Sequence, residues 1–167
     1  MKNIFIAALF SILAAAPAVA AEGKDSVGIN YGLDLDGVVG VQGEIDISAS
    51  MTNKAPVSIQ VLWKNYSESF TVGAGTYRYS YNGFGIAGIY DFGAAVKQNN
   101  KIRPYAGVGL ITLNSSLSGP GAPFTTSADN GGIYVTVGAK YALTPQVSAD
   151  LNYNNYGGIT IGAVLNF

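Results

Sequence analysis

The 167-residue chain contains no cysteine and no histidine. The first absence excludes disulfides, thiolate zinc sites and cysteine nucleophiles. The second excludes every catalytic scheme in which imidazole is the general base. Charged residues are also scarce, at 11% of the chain against about 25% in an ordinary globular domain. The formal net charge is −1, so the sequence gives no electrostatic reason to expect nucleic acid as a partner.

The first twenty residues have the pattern of a secretory signal peptide. A basic start at Lys2 precedes residues 4–16, which are apolar apart from Ser11. Small residues that fit an A-x-A cleavage site follow: Ala18, Ala20 and the neighbouring Ala21. An uncleaved membrane helix is the alternative, but the apolar stretch is short and no stop-transfer segment follows. We therefore predict a cleaved signal peptide over residues 1–20 and one domain over residues 21–167.

The mature chain alternates apolar residues with glycine and polar residues, the period of half-buried β-strands. Asp36-Gly37 and Thr144-Pro145-Gln146 are typical turn sequences between such segments. The segments that alternate most clearly are 27–35, 39–48, 57–64, 84–92, 105–110, 133–143, 147–154 and 158–167.

The polar face of these strands is poor in charge and rich in Gly, Asn, Ser and Thr. The surface of a soluble sandwich carries Lys and Glu freely, so this composition suits a crowded interior better. The apolar face would then meet lipid, and strands of about ten residues reach ~33 Å, enough to cross a ~25 Å apolar band when tilted. We predict an all-β, eight-stranded antiparallel up-and-down transmembrane β-barrel. A soluble lipocalin-like carrier, with the apolar face buried, is the alternative.

Outward-facing aromatic residues are predicted to form two girdles at the membrane interfaces. The outer girdle comprises Trp63, Phe84 and Tyr153, and the inner girdle Tyr90, Phe92, Tyr141 and Phe167. Tyr31 lies near the middle of its predicted strand and fits neither girdle well.

Asn82-Gly83 complicates the strand count. As a hairpin turn it would give nine strands, whereas bacterial single-chain barrels have an even number. We therefore interpret residues 66–83 as the projecting tips of the third and fourth strands, with Asn82-Gly83 as a β-bulge where the outward phase slips.

Two segments resemble the small eight-stranded outer-membrane β-barrels, the family of outer membrane protein X and of the transmembrane domain of outer membrane protein A. One is Arg103-Pro104-Tyr105-Ala106-Gly107-Val108-Gly109-Leu110, and the other is the alternation that ends the chain: Ile159, Ile161, Ala163, Leu165 and Phe167. The resemblance implies the outer membrane of a Gram-negative bacterium, contact with its lipid and lipopolysaccharide, and a C-terminal signal read by the barrel assembly machinery.

The sequence offers little for catalysis or for a cofactor. Enzymes that share this architecture resemble one another in requiring histidine, which is missing here. Glu44 and Asp46 point inward two residues apart and could in principle serve as paired carboxylates, but a narrow barrel leaves little room for a substrate. Asp34-Leu35-Asp36-Gly37 lacks the spacing and closing glutamate of a calcium loop. We predict no enzyme, no cofactor and no metal site.

Charged side chains are predicted to line the lumen at eight inward positions: Asp34, Glu44, Asp46, Lys64, Asp91, Arg103, Lys140 and Asp150. Isolated charges there are costly, so they should be paired and should close the lumen. With the turn at residues 144–146, Lys140 faces Asp150 across two strands, and we predict that this pair interacts directly.

The external segments 66–83 and 115–130 are the candidate recognition regions. The second is rich in Gly and Pro, which argues against strand there. The first contains four tyrosines, and we favour their role as interfacial anchors over a ligand-binding surface. The predicted function is a structural or surface-recognition barrel with a closed lumen. A small-solute pore of low conductance is the alternative.

Overall fold

The structure, a computed structural model, describes residues 25–33, 37–95, 101–120 and 128–167. The predicted signal peptide lies outside them. The strands of the described residues form one closed antiparallel barrel in which each strand pairs with its sequence neighbours and β1 pairs with β8. These strands are β1 (Ser26–Gly32), β2 (Val39–Asp46), β3 (Val57–Val72), β4 (Gly75–Asp91), β5 (Ile102–Ser118), β6 (Ala128–Ala142), β7 (Val147–Asn154) and β8 (Gly158–Asn166). The predicted eight-stranded barrel is confirmed.

The first and last described residues meet at one end of the barrel, where the Phe167 amide donates to the Asp25 carbonyl at 3.0 Å. We call this the terminal end and the opposite one the hairpin end. The terminal end also carries a 3-10 turn, Ser48–Ser50, and a single helical turn, α1 (Phe92–Ala95). None of the helices in the described ranges is long and apolar enough to cross a membrane.

The third and fourth strands extend beyond the rest of the barrel at the hairpin end. The last β2–β3 pair is Val39 with Asn65, whereas β3 and β4 remain paired as far as Val72 and Gly75. The prediction of projecting tips over 66–83 is therefore confirmed. The predicted bulge is wrong, because Asn82 pairs with Asn65 in an unbroken one-to-one register. Asn82-Gly83 is neither a bulge nor a turn, and the hairpin turns at Gly73, where φ is +61°.

Side chains of the barrel wall alternate as the sequence predicts, with large apolar residues outside. Val108 and Leu110 are 61% and 64% exposed, while the intervening Gly109 faces inward. A soluble protein would bury such a continuous apolar band, whereas a membrane barrel presents it to lipid.

Three boundaries differ from the sequence-based expectations. β1 ends at Gly32 rather than at residue 35, so Tyr31 lies at the hairpin end of its strand and not near the middle. Strand structure also enters the 115–130 segment from both sides, since β5 continues to Ser118 and β6 begins at Ala128. Long cross-strand pairing outweighs the local Gly and Pro content there.

Candidate functional site: the barrel interior and the projecting hairpin

A chain of amide and hydroxyl side chains fills one side of the interior. Asn30 Nδ2 donates to Gln42 Oε1 at 3.1 Å, and Gln42 Nε2 donates to Asp150 Oδ2 at 3.3 Å. Asn152 Nδ2 donates to the same carboxylate oxygen at 3.1 Å, and its own Oδ1 accepts from Thr160 Oγ1 at 2.8 Å. These side chains belong to β1, β2, β7 and β8, so the network connects strands that are far apart in sequence.

Asp150 is the centre of this network and is 1% exposed. Besides the two amides, it accepts a hydrogen bond from the Tyr105 hydroxyl at 2.9 Å, which reaches it from β5, two strands away. Three donors thus stabilise one buried carboxylate, which compensates for much of its desolvation.

The prediction that Lys140 interacts directly with Asp150 is wrong, because Lys140 pairs with a different acid. The two residues are directly opposite in the β6–β7 register, but Lys140 Nζ forms an ion pair with Glu44 Oε2 at 2.7 Å. Ser58 Oγ donates to the other oxygen of Glu44 at 2.6 Å, and the Lys140 ammonium lies 5.5 Å from the centre of the Tyr105 ring. The ion pair spans the lumen from β6 to β2, a contact that cross-strand register cannot reveal.

Lys64 is also buried inside the barrel. Its ammonium donates to Asn154 Oδ1 and lies 5.3 Å from the centre of the Tyr134 ring. Asn154 in turn donates to Asn152 Oδ1 at 3.1 Å, so Lys64 is joined to the same polar network.

The remaining predicted lumen charges lie at the terminal end, apart from Asp34, which is outside the described residues. Arg103 forms an ion pair with Asp91, whose carboxylate also accepts from the Ala94 amide at 2.9 Å. Asp46 is half-buried, its amide donates to Asp25 Oδ1 and its carboxylate accepts from the Ser48 amide. These residues line a shallow cleft at the mouth and not the middle of the lumen.

An apolar cluster, which the alternation of the sequence did not predict, fills the other side of the interior. It comprises Leu62, Ala87, Ile89, Tyr105, Ile111 and Tyr134, with Leu113 and Tyr156 packed against it. The sequence does carry a signal for part of it: in Val61-Leu62-Trp63 and Leu110-Ile111 the apolar residues are consecutive, so both faces of the strand are apolar.

Polarity reverses where the hairpin rises above the barrel. Trp63 and Phe84 form a cross-strand pair on the outward side at this level. Above it, the outward side of the projecting strands is polar: Ser67, Ser69, Thr71, Thr76, Arg78, Ser80 and Asn82. The side that continues the lumen wall is aromatic, and we call Tyr66, Glu68, Phe70, Tyr77, Tyr79 and Tyr81 the tyrosine face.

This placement contradicts the interpretation of the hairpin tyrosines as interfacial anchors. An anchor must lie on the side that meets lipid, which is the outward side of each strand. The tyrosine face lies on the opposite side, where Tyr66 is buried against its neighbours while Phe70 and Tyr79 are 41% and 38% exposed.

The structure does not support paired-carboxylate catalysis or metal binding. Glu44 is engaged by Lys140 and Ser58, so it does not act with Asp46 as an open carboxylate pair. Within the described ranges, no group of three or more acidic side chains is arranged to hold a metal ion. Most of the weak calcium-loop sequence, residues 34–36, lies outside the described residues.

Comparison with known proteins agrees with the architecture. The family model of the outer membrane protein beta-barrel domain matches residues 5–163. No curated protein matches the sequence. Among solved structures, Ail, the attachment invasion locus protein of Yersinia pestis in complex with the heparin analogue sucrose octasulfate, is 14% identical, with a TM-score of 0.55 and coverage of 88% of this chain and 100% of that one.

Two further solved barrels are similar in fold. The N-terminal β-barrel domain of Pseudomonas aeruginosa OprF is 19% identical, with a TM-score of 0.52 over 87% of this chain and 100% of that one. Neisserial surface protein A is 18% identical, with a TM-score of 0.50 and coverage of 86% of this chain and 94% of that one. At such identities the likeness concerns the fold alone, but the family model covers most of the chain. The protein therefore belongs to the outer membrane protein beta-barrel domain family and is an integral β-barrel of the Gram-negative outer membrane.

Proposed function

We propose that the protein is a non-conducting outer-membrane barrel that contacts a partner at the cell surface through its projecting hairpin. The observation that carries the proposal is the reversal of polarity above Trp63 and Phe84. Exposed aromatic rings that face away from lipid have no anchoring role, and exposed aromatic surface is typical of interaction sites.

The filled interior supports the non-conducting part of the proposal. The ion pair of Lys140 with Glu44 crosses the lumen, and Tyr105 reaches Asp150 inside the barrel from two strands away. An eight-stranded barrel has a bore that side chains can fill. Removing these groups to open a path would leave buried charges without partners, which is costly.

We assign the protein no catalytic role. The chain has no imidazole to serve as a general base near neutral pH. Its buried carboxylates, Glu44 and Asp150, are held by structural hydrogen bonds, an arrangement that stabilises the barrel and leaves no acid and base facing a shared substrate position.

Three further partners follow from this location and remain proposals. Membrane lipid and lipopolysaccharide surround the apolar outward side. The barrel assembly machinery recognises the C-terminal strand through Phe167 and the alternate residues before it: Leu165, Ala163 and Ile161. Cleavage next to Ala20 or Ala21 releases the barrel for assembly.

The recognition role is tested by shortening the hairpin. A variant in which residues 68–80 are replaced by Asn-Gly keeps the barrel wall but removes most of the tyrosine face. We expect cells that display it to attach less well to protein-coated surfaces than cells that display the full hairpin. A shift in gel mobility on boiling serves as the folding control. Equal attachment by two equally folded proteins would refute the recognition role.

A further inference from the structure

The tyrosine face is a preorganised set of rings. Tyr66 stacks on Tyr81 with ring centres 5.4 Å apart, and Phe70 stacks on Tyr77 at 5.8 Å with an interplanar angle of 19°. Tyr79 is tilted by 59° against Tyr66 at 6.1 Å. Because these rings hold one another, a ligand would not have to order them on binding, which lowers the entropic cost of association.

The hydroxyl groups at the base of the face are also held in place. Tyr66 donates to the Glu68 carboxylate, and this bond raises the pKa of Tyr66 to about 12. Tyr81 donates to the Tyr156 carbonyl at 2.9 Å. The Tyr66 hydroxyl therefore stays protonated at physiological pH, and Glu68 supplies the negative charge of the face.

Within the described residues 66–82 of the projecting hairpin, the charged side chains are Glu68, on the tyrosine face, and Arg78. Arg78 lies on the outward side, where its Nε donates to Ser67 Oγ at 2.8 Å. The tyrosine face itself has no basic residue among its described members. Such a surface attracts cations and repels anions.

The barrel interior shows how this chain accommodates cations. Two lysines buried in the described part of the interior lie over tyrosine rings: Lys64 over Tyr134 at 5.3 Å and Lys140 over Tyr105 at 5.5 Å. Both distances are within the range in which an aromatic face attracts an ammonium or guanidinium group. The tyrosine face presents the same ring type to solvent, together with a carboxylate.

We propose that the tyrosine face binds an extended, basic segment of an external protein, with arginine or lysine side chains over the rings and Glu68 as their counter-ion. Tyr77, Tyr79 and Tyr81 follow one another at every second residue of β4, so they are spaced by about 7 Å. Side chains on one side of an extended peptide have the same spacing, which favours a peptide over a single small cation. The inference rests on the proposed recognition role of the hairpin and names the chemistry of its partner.

The charge also distinguishes this surface from that of a sulfated-glycan binder. Ail has been crystallised with the polyanion sucrose octasulfate. A polyanion at the tyrosine face would meet Glu68 with no basic side chain beside it on that face, so we expect it to be repelled here.

Binding is tested on the full protein in nanodiscs of uncharged lipid, with a fluorescent ten-residue peptide in which Arg alternates with Ser. We expect saturable binding of one peptide per barrel that weakens with added salt. Tyr79→Ala and Glu68→Gln should each weaken it by about five-fold, the effect of one exposed cation–π contact or charge pair. Tyr79→Phe keeps the ring and should retain most of the affinity. Ser69→Ala, on the outward side, is the matched control and should change nothing.

Three results would overturn the proposal: equal affinity of the Tyr79→Ala variant, equal or tighter binding of sucrose octasulfate, or pairing of two barrels through the hairpin in sedimentation without added peptide. The peptide proposal can be wrong while the recognition role of the hairpin is right, and the two outcomes can be distinguished. If the shortened hairpin reduces attachment while the peptide binds the Tyr79→Ala variant unchanged, the hairpin recognises a partner of different chemistry and only the peptide proposal falls.

Discussion

The ammonium group of Lys140 lies 2.7 Å from a carboxylate oxygen of Glu44, across the lumen from β6 to β2. The two residues are 96 positions apart in the chain, and both are buried. Their pairing joins opposite walls of the barrel. It is the clearest sign that the interior is a packed core and not a passage.

Replacing Lys140 by Met is therefore expected to destabilise the barrel. Glu44 would keep its burial and Ser58 but lose its counter-ion, and breaking a buried pair costs roughly 3–5 kcal/mol in a dry site, less where water enters. Urea unfolding in lipid, followed by the fluorescence of Trp63, measures the change in the free energy of unfolding.

The partner of Lys140 is identified by a double-mutant cycle. The Lys140→Met and Glu44→Gln variants should couple strongly, because each removes the same ion pair. The Lys140→Met and Asp150→Asn variants should couple less, since Asp150 is held by Tyr105, Gln42 and Asn152. A larger coupling energy with Asp150 than with Glu44 would contradict the observed pairing.

Tyr105→Phe is expected to destabilise by about 1–3 kcal/mol, because it removes one donor from the buried Asp150 carboxylate and leaves the rest of the ring in place. Tyr141→Phe is the matched control. Tyr141 faces outward and is exposed, so losing its hydroxyl should have a small effect. Equal unfolding free energies for the two variants would show that the Tyr105 hydroxyl does not stabilise Asp150.

Gly109 lies where the interior has no space for a side chain. A Cβ atom there would lie 2.0 Å from the Ile86 carbonyl oxygen, a backbone atom that cannot move aside freely. Gly109→Ala should cost 1–3 kcal/mol or more, as overpacked cores do. Gly88→Ala is the control, because its Cβ would face outward and meet nothing closer than 4.0 Å. Equal loss of stability in the Gly88→Ala and Gly109→Ala variants would contradict the claim that the interior at Gly109 has no space for a side chain.

Removal of Phe167 should lower the amount of folded barrel in the outer membrane more than Phe92→Ala does. Both phenylalanines are exposed, but only Phe167 belongs to the C-terminal pattern proposed as the assembly signal. The folded fraction is measured by gel mobility before and after boiling. Similar yields would leave Phe167 as an ordinary interfacial aromatic.

The fold could be predicted from the sequence because it depends on a local pattern, the alternation of side chains along each strand. In a strand the side-chain period of two assigns every residue to one wall or the other, so Val108 and Leu110 could be placed outside without knowledge of the barrel. The turn at residues 144–146 likewise fixed the register of Lys140 opposite Asp150.

The ion pair of Lys140 with Glu44 could not be predicted from the sequence, because it depends on distances across the closed barrel. Which residue of β2 lies at the height of Lys140 is set by strand tilt and stagger, and no local pattern encodes these. The bulge predicted at Asn82-Gly83 accounts for a slip of the outward phase in a barrel that needs an even number of strands. The structure explains the slip by a change of environment: β4 passes from lipid to solvent, and its aromatic residues change from the outward to the inward side.

The central claim, that the lumen is closed, is tested most directly by conductance of the wild-type protein in planar bilayers. Buried pairs such as Lys140 with Glu44, together with the Asp150 network and the apolar cluster around Ile89 and Ile111, predict no steady channel at moderate voltage. Large, steady and reproducible conductance steps would contradict the closed lumen and favour a small-solute pore.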